Sequence, residues 1–300
     1  MSFWLVARKE FADQISGRRF LVITALLMLL VGYAAYTGMQ RLQLEHRGGV
    51  LLVYTVAGGL FTLLGAVMGL LAGFDLITKE REMGTLRVLL SHPVHRDEVI
   101  AGKVAGAFSA IALATGGVLS VTTGLLLVYG MPLSYGELKG VLLLWAATVV
   151  YIFAYFSFGI FGSAVARTSG TALVIALLLT LVFSALIPAA GEIAGRRLAG
   201  EPPGPPVVTV RDVYAGKGEH PPEREYLREY ERRRAAWEER KRRVSSVFMA
   251  FSPAASYMSL LGWLERGSGG SVGNILPGLA GIPAVFLTLT YLRFVREDVV

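Results

Sequence analysis

Asp75-Leu-Ile-Thr-Lys-Glu-Arg-Glu-Met-Gly-Thr-Leu-Arg-Val-Leu-Leu-Ser-His-Pro-Val-His-Arg96 is a charged stretch lodged between two long apolar segments. Read as a helix from Lys79 onward, it sets Leu86, Leu89 and Leu90 on one face and turns Glu80, Arg81 and Arg87 elsewhere. That is the i, i+3, i+4 spacing of an amphipathic helix. Pro93 ends the pattern, because the residue before a proline is biased out of the helical region. A helix over residues 78–92, held between two apolar runs, suits a place under a bilayer with one face presented to a partner. The same spacing also fits a solvated loop with helical character.

The flanks decide the class. The chain has 300 residues, of which 54% are hydrophobic, and a mean hydropathy of +0.55. Its charges crowd into the N-terminus, the stretch above, and a block over residues 192–243. Between them lie segments of about 20 apolar residues, the length a helix needs to cross a bilayer core. The expectation is an all-α membrane protein with six transmembrane helices, five within residues 20–190 and a sixth, with a short tail, in 272–300. Without cysteine there is neither a disulfide framework nor a thiolate metal site. The net charge of +7 does not call for nucleic acid, since Lys and Arg in short loops set orientation. They crowd on one side, from Arg8, Lys9, Arg18 and Arg19 to Arg293 and Arg296, against Arg41, Arg47 and Lys139 on the other. Both termini are then cytoplasmic, in a multi-pass protein of the plasma membrane.

Residues 1–19 place Phe3, Trp4, Ala7, Phe11 and Ile15 at helical spacing, which reads as an amphipathic helix with its aromatic face in the headgroups. Gly65, Gly69 and Gly73 put small residues on one face of the second span, for internal packing or, alternatively, a subunit interface or pathway lining. Residues 191–271 form an extracytoplasmic insert. It opens with a Pro-rich irregular segment over 191–222, followed by a charged helix over 223–243. The thin stripe of Tyr226, Tyr230 and Trp237 on that helix needs a partner, either a second copy or another protein. Residues 247–264 are apolar but broken at Ser252-Pro253, the pattern of a re-entrant or interfacial pair of short helices.

No ionisable residue is expected well inside a span, which counts against proton-coupled transport. The four histidines are scattered, and neither HExxH nor GxSxG occurs. Ala101-Gly-Lys103 lacks the Ser or Thr and the first glycine of a phosphate loop, with Val104 and Asp97 in their places. The expectation is no catalytic residue, no metal site and no cofactor on this chain.

Glu80-Arg-Glu-Met-Gly-Thr-Leu86, followed by Leu89-Leu90, Pro93, Arg96 and Gly102-Lys103, resembles the cytoplasmic signature of ABC-2-type transporter permeases. Ala7-Arg-Lys-Glu-Phe11 looks like that family's elbow helix. The resemblance implies a non-catalytic exporter subunit that dimerises, with itself or a related permease, in membrane lipid. It also implies docking on two separate ATPase subunits that hold ATP and Mg. Residues 78–92 would be the coupling helix: Glu80 and Arg81, with Glu82 beside them, would contact the ATPase. Gly84-Thr85 would set the turn, and Leu86, Leu89 and Leu90 would anchor it. The long insert is similar to that of a branch including the nitrous oxide reductase maturation permease. No His or Met cluster carries copper over to this chain. The alternative class is a membrane scaffold that uses ATP-driven motion to act on an extracytoplasmic partner.

Overall fold

A chain crossing lipid must satisfy its backbone hydrogen bonds internally, and long runs of Leu, Ala and Val do so as helices. The computed structural model describes residues 2–44, 50–84, 96–131, 133–204, 223–266 and 275–296, and among them helices occur without strands. In chain order these are α1 (Ser2–Ser16), α2 (Arg18–Leu44), α3 (Val50–Gly73), α4 (Thr78–Glu82), α5 (Arg96–Val128) and α6 (Tyr135–Val165). Then follow α7 (Ser169–Leu181), α8 (Ile187–Ala199), α9 (Glu223–Met249), α10 (Pro253–Arg266) and α11 (Ile282–Arg296). Single π turns at Val182–Leu186 and Pro277–Gly281 join α7 to α8 and lead into α11. Among the described residues, six helical stretches are long and apolar enough to cross a membrane: Arg18–Gln40, Gly58–Glu82, Arg96–Val128, Tyr135–Val165, Ser169–Ala199 and Pro277–Arg296. The six-span, all-α expectation holds.

The bundle is built on α6, which packs against α3, α5, α7, α10 and α11. Its first turn is fixed by a capping box, Ser134 accepting from the Glu137 amide while Glu137 accepts from the Ser134 amide. Tyr151, Tyr155, Phe156 and Phe158 on α6 are wholly buried. The glycine face of α3 is spent on this helix. A Cβ at Gly73 would lie 2.6 Å from the Phe156 carbonyl oxygen, and one at Gly69 would run into the Ile152 carbonyl. Gly159 answers from α6, where a Cβ would come 2.8 Å from the Leu70 carbonyl oxygen.

Several boundaries differ from expectation. The fifth span does not end near residue 190; it continues through the π turn to Ala199, so the start of the supposedly irregular segment is helical. The reason is α9, which packs along α8 at two glycines. A Cβ at Gly191 would stand 2.6 Å from Phe248 Cβ, and one at Gly195 2.8 Å from the Lys241 carbonyl oxygen. Residues 205–222 lie outside the described residues. The charged helix runs past residue 243 to Met249, and the chain turns at Ala250–Ser252 into α10. That hairpin re-enters the bundle: Tyr257 is wholly buried, stacks on Tyr151 at 4.5 Å and shares a 2.8 Å hydrogen bond with Thr148 Oγ1. The α1 stripe also behaves differently. Ala7 is buried and Phe11 packs on the core, leaving Trp4 and Leu5 exposed. Gly102 and Gly106 let α1 settle onto α5, since a Cβ at Gly106 would lie 2.5 Å from the Ala7 carbonyl oxygen.

Candidate functional site: a buried charge cluster around α4

A five-residue helix has too few internal hydrogen bonds to persist alone, so α4 must be held by its surroundings. Ser163 of α6 serves its N-terminus, its Oγ accepting from the Ile77 amide at 2.9 Å and the Thr78 amide at 3.0 Å. These are the donors a helix start leaves without partners. Arg81 donates to the Ala166 carbonyl at the end of α6. Glu82 reaches the start of α7, accepting from the Ser169 amide at 2.8 Å and the Ser169 hydroxyl at 2.9 Å. A carboxylate there also complements the helix dipole. Gly84 closes the turn with φ of +71°, a left-handed conformation suited to glycine.

Glu80 points the other way, into a charge cluster. Lys103 of α5 lies 2.9 Å from Glu80 Oε1 and 3.1 Å from Glu10 Oε2 of α1, and donates to the Leu76 carbonyl at 3.2 Å. These three acceptors match the three donors of an ammonium. Lys9 approaches Glu80 at 3.5 Å, so two cations face two carboxylates. The Lys103 side chain is 3% exposed, Glu10 11% and Glu80 13%. Desolvation offsets much of the attraction between ions covered to this degree, but losing one strands the other as an uncompensated buried charge. Burial pushes the Glu10 carboxyl above its ordinary value of 4.5, with Lys103 the leading opposing influence. Around the cluster, Gln14 donates to the Ala72 carbonyl at 2.9 Å, and Arg19 pairs with Asp75 at 3.1 Å. An open cleft of about 910 Å³ borders it, lined by residues of both signs including Lys9, Asp13, Arg18, Asp75 and Lys79.

The arrangement is mechanical. Through α4, a displacement reaches α1 and α5 by the cluster, α6 by Ser163 and α7 by Ser169. Among the described residues, no group of three or more His, Asp or Glu could hold a metal ion.

Of the residues expected to couple to a partner, Glu80, Arg81 and Glu82 each make contacts within the chain. Met83 is 58% exposed and Gly84 is also exposed. Thr85, Leu86, Leu89 and Leu90 lie outside the described residues. Against the expectation that no ionisable residue lies well inside a span, Lys103 sits two turns inside α5 and is buried. Glu10 was missed as a site residue. The available signal was a carboxylate next to Phe11 and three residues after Ala7, opposite a lysine flanked by Gly102 and Gly106. In the outer stripe, Trp237 is half-buried and donates Nε1–H to the Gly200 carbonyl at 2.8 Å. Tyr230 is half-buried, and the Tyr226 side chain lies outside the described ones.

The family model described as ABC-2 family transporter protein matches residues 4–299. The chain is 38% identical over 115 residues to the "Probable ABC transporter permease protein NosY" of Pseudomonas aeruginosa, covering 37% of this chain and 41% of that protein. The protein of that name from Stutzerimonas stutzeri is 34% identical over 113 residues, covering 37% and 40%. The matched stretch thus spans about two fifths of each relative.

Proposed function

Because the chain belongs to the ABC-2 family of transporter proteins, we propose that it is the permease subunit of an exporter whose ATP hydrolysis takes place on separate subunits. Two ATPase chains hold ATP and Mg, and a second permease, identical or related, completes the pore. The α1/α4 end, with its excess of Lys and Arg, faces the cytoplasm, as do both termini. The exposed Met83 would touch the ATPase, and Leu86, Leu89 and Leu90 are the apolar anchors that the family signature leads us to expect there. Glu80, Arg81 and Glu82 secure that seat to the bundle. The fifth span, with 11% of its apolar window buried, offers a face for the second permease.

The observation that carries this reading is the buried cluster joining α4 to α1 and α5. ATP-driven closure moves spans only if a well-anchored element transmits it. A label pair tests it without knowing the substrate, since the native chain has no cysteine. Cysteines at Leu5 and Leu198, both exposed, take spin labels. In the reconstituted complex, ATP and Mg shift the label distance, and Lys103→Met, which breaks the cluster, reduces that shift while hydrolysis continues. A full shift in Lys103→Met, or purification without any ATPase, refutes the reading.

A second reading has its own support. From Ser169, held by Glu82, one helical run reaches Ala199 and carries α9. ATP-driven motion would then act on an extracytoplasmic partner instead of moving a substrate. ATP-driven displacement at Leu198 with no transported species in vesicles would favour it.

A further inference from the structure

We propose that the α8/α9 hairpin carries a basic collar that binds anionic phospholipid headgroups where it rises from the bilayer. This rests on the chain spanning a membrane, not on the direction of transport or on the side the hairpin occupies.

The first observation is one of level. Gly191 lies against Phe248 and Gly195 against Lys241, so α8 and α9 run antiparallel. Arg196 and Arg197 on α8 therefore stand level with the basic run 240–243 on α9. Immediately toward the bundle, Val247, Phe248 and Phe251 are 60%, 37% and 47% exposed. Large apolar side chains left open on a membrane protein at the foot of a charged helix belong in lipid. One helical turn, about 5.4 Å, separates Val247 from Arg243. Arginine stems span that distance along apolar surface and leave their guanidinium at headgroup height.

The second observation is charge. Glu192 is already engaged by Lys241 at 2.7 Å and Arg196 at 3.9 Å. Arg243 pairs with Glu239 at 3.0 Å, an exposed i, i+4 contact that contributes little and exchanges readily. Among the described residues, Arg197, Arg240 and Arg242 have no carboxylate within salt-bridge reach. Arg242 and Arg243 line a shallow groove with Ala235, Ser246 and Glu239, the carboxylate there being the one already paired with Arg243. A second copy meeting the chain through this same face is a poor occupant, because it would set one basic run 240–243 against another. A soluble acidic partner leaves the apolar residues below unexplained. Anionic lipid satisfies both, with acyl chains on Val247 and Phe251 and phosphate on the arginines.

The test is local, so that basic residues elsewhere do not enter. The full chain carrying Val247→Cys is labelled with a fluorophore and placed in neutral phosphatidylcholine nanodiscs. Nitroxide-labelled phosphatidylglycerol or phosphatidylcholine is then titrated as quencher. Phosphatidylglycerol is expected to quench at a lipid fraction at least about fivefold lower, the partitioning that one guanidinium near the surface supplies. Combined Arg196→Gln, Arg197→Gln, Arg242→Gln and Arg243→Gln bring the two lipids together. The same four changed to Lys keep the preference, which separates lost charge from lost fold. Arg228→Gln with Arg232→Gln, farther out on α9, leave it unchanged. Equal quenching in the parent chain, persistence in the four-Gln variant, or equal loss in the outer pair overturns the proposal.

Discussion

Replacing Lys103 by methionine keeps most of the side-chain length and removes the charge on which the cluster centres. Glu10 and Glu80, 3.1 Å and 2.9 Å from the lost ammonium, then share a buried site with Lys9 alone, whose side chain is 59% exposed. Breaking a buried ion pair from one side costs about 3–5 kcal/mol. The slight exposure of both carboxylates and the surviving Lys9 place this case at the lower end, about 3 kcal/mol, or roughly 150-fold in the equilibrium for α1 to lift off α5. Amide hydrogen exchange over Ser2–Ser16 in the full chain reads that equilibrium directly. Protection there should fall by this factor while α11, remote from the cluster, is unaffected. Glu10→Gln combined with Lys103→Met restores charge balance and should recover most of the loss. A change below about tenfold, the scale of a surface pair, would refute the reasoning. A double variant no better than the single would refute it equally.

Acidification should relieve the Lys103→Met defect. Burial already holds Glu10 above 4.5, and loss of the ammonium raises it further. A carboxyl whose folded value exceeds its unfolded value binds more protons when folded. Stability therefore rises as pH falls from above the raised value toward 4.5, and protection in α1, measured relative to the intrinsic exchange rate at each pH, should rise over that window. Gly69→Val drives a side chain into the Ile152 carbonyl and should cost about 3 kcal/mol, read as a lowered thermal midpoint. Gly59→Ala, with open space around its Cβ, should be neutral or stabilising by the same measurement. Tyr257→Phe removes a buried hydroxyl from Thr148, which retains its 2.8 Å bond to the Leu144 carbonyl. The loss should be about 1 kcal/mol, with faster thiol labelling of a cysteine at Leu261, and an unchanged labelling rate would argue that the hairpin is held by packing alone.

The membrane class, the six spans and their order were legible in the chain because hydropathy is a sum over neighbours in sequence. The glycine face of α3 was legible for the same reason, since three glycines four residues apart share a side of any helix. Which helix that face meets was not, and α6 answers with its own Gly159. The ends of α8 and α9 were misjudged for a related reason. Polar residues after 190 argue for leaving the helix, and only the close approach at Gly191 and Gly195 keeps both helices running beside each other. The hydrogen bond from Trp237 to the Gly200 carbonyl, just beyond α8, was equally out of reach of the sequence.

The charged residues show where reading along the chain stops. Sequence alone placed Glu80, Arg81 and Glu82 in a helix over residues 78–92 at a membrane boundary, whereas α4 stops at Glu82 and Gly84 turns with positive φ. Nothing local says that Glu80 turns inward to a lysine on α5 while Glu82 turns outward to Ser169. Those choices depend on the register of α1, α4 and α5, which are distant in sequence. Two glycines on α5 set that register by letting α1 sit almost backbone to backbone. Apolar burial tolerates a shift of an ångström or two. Three hydrogen bonds from one buried ammonium do not, so the composition determined the spans and only the tertiary structure decided which charges meet.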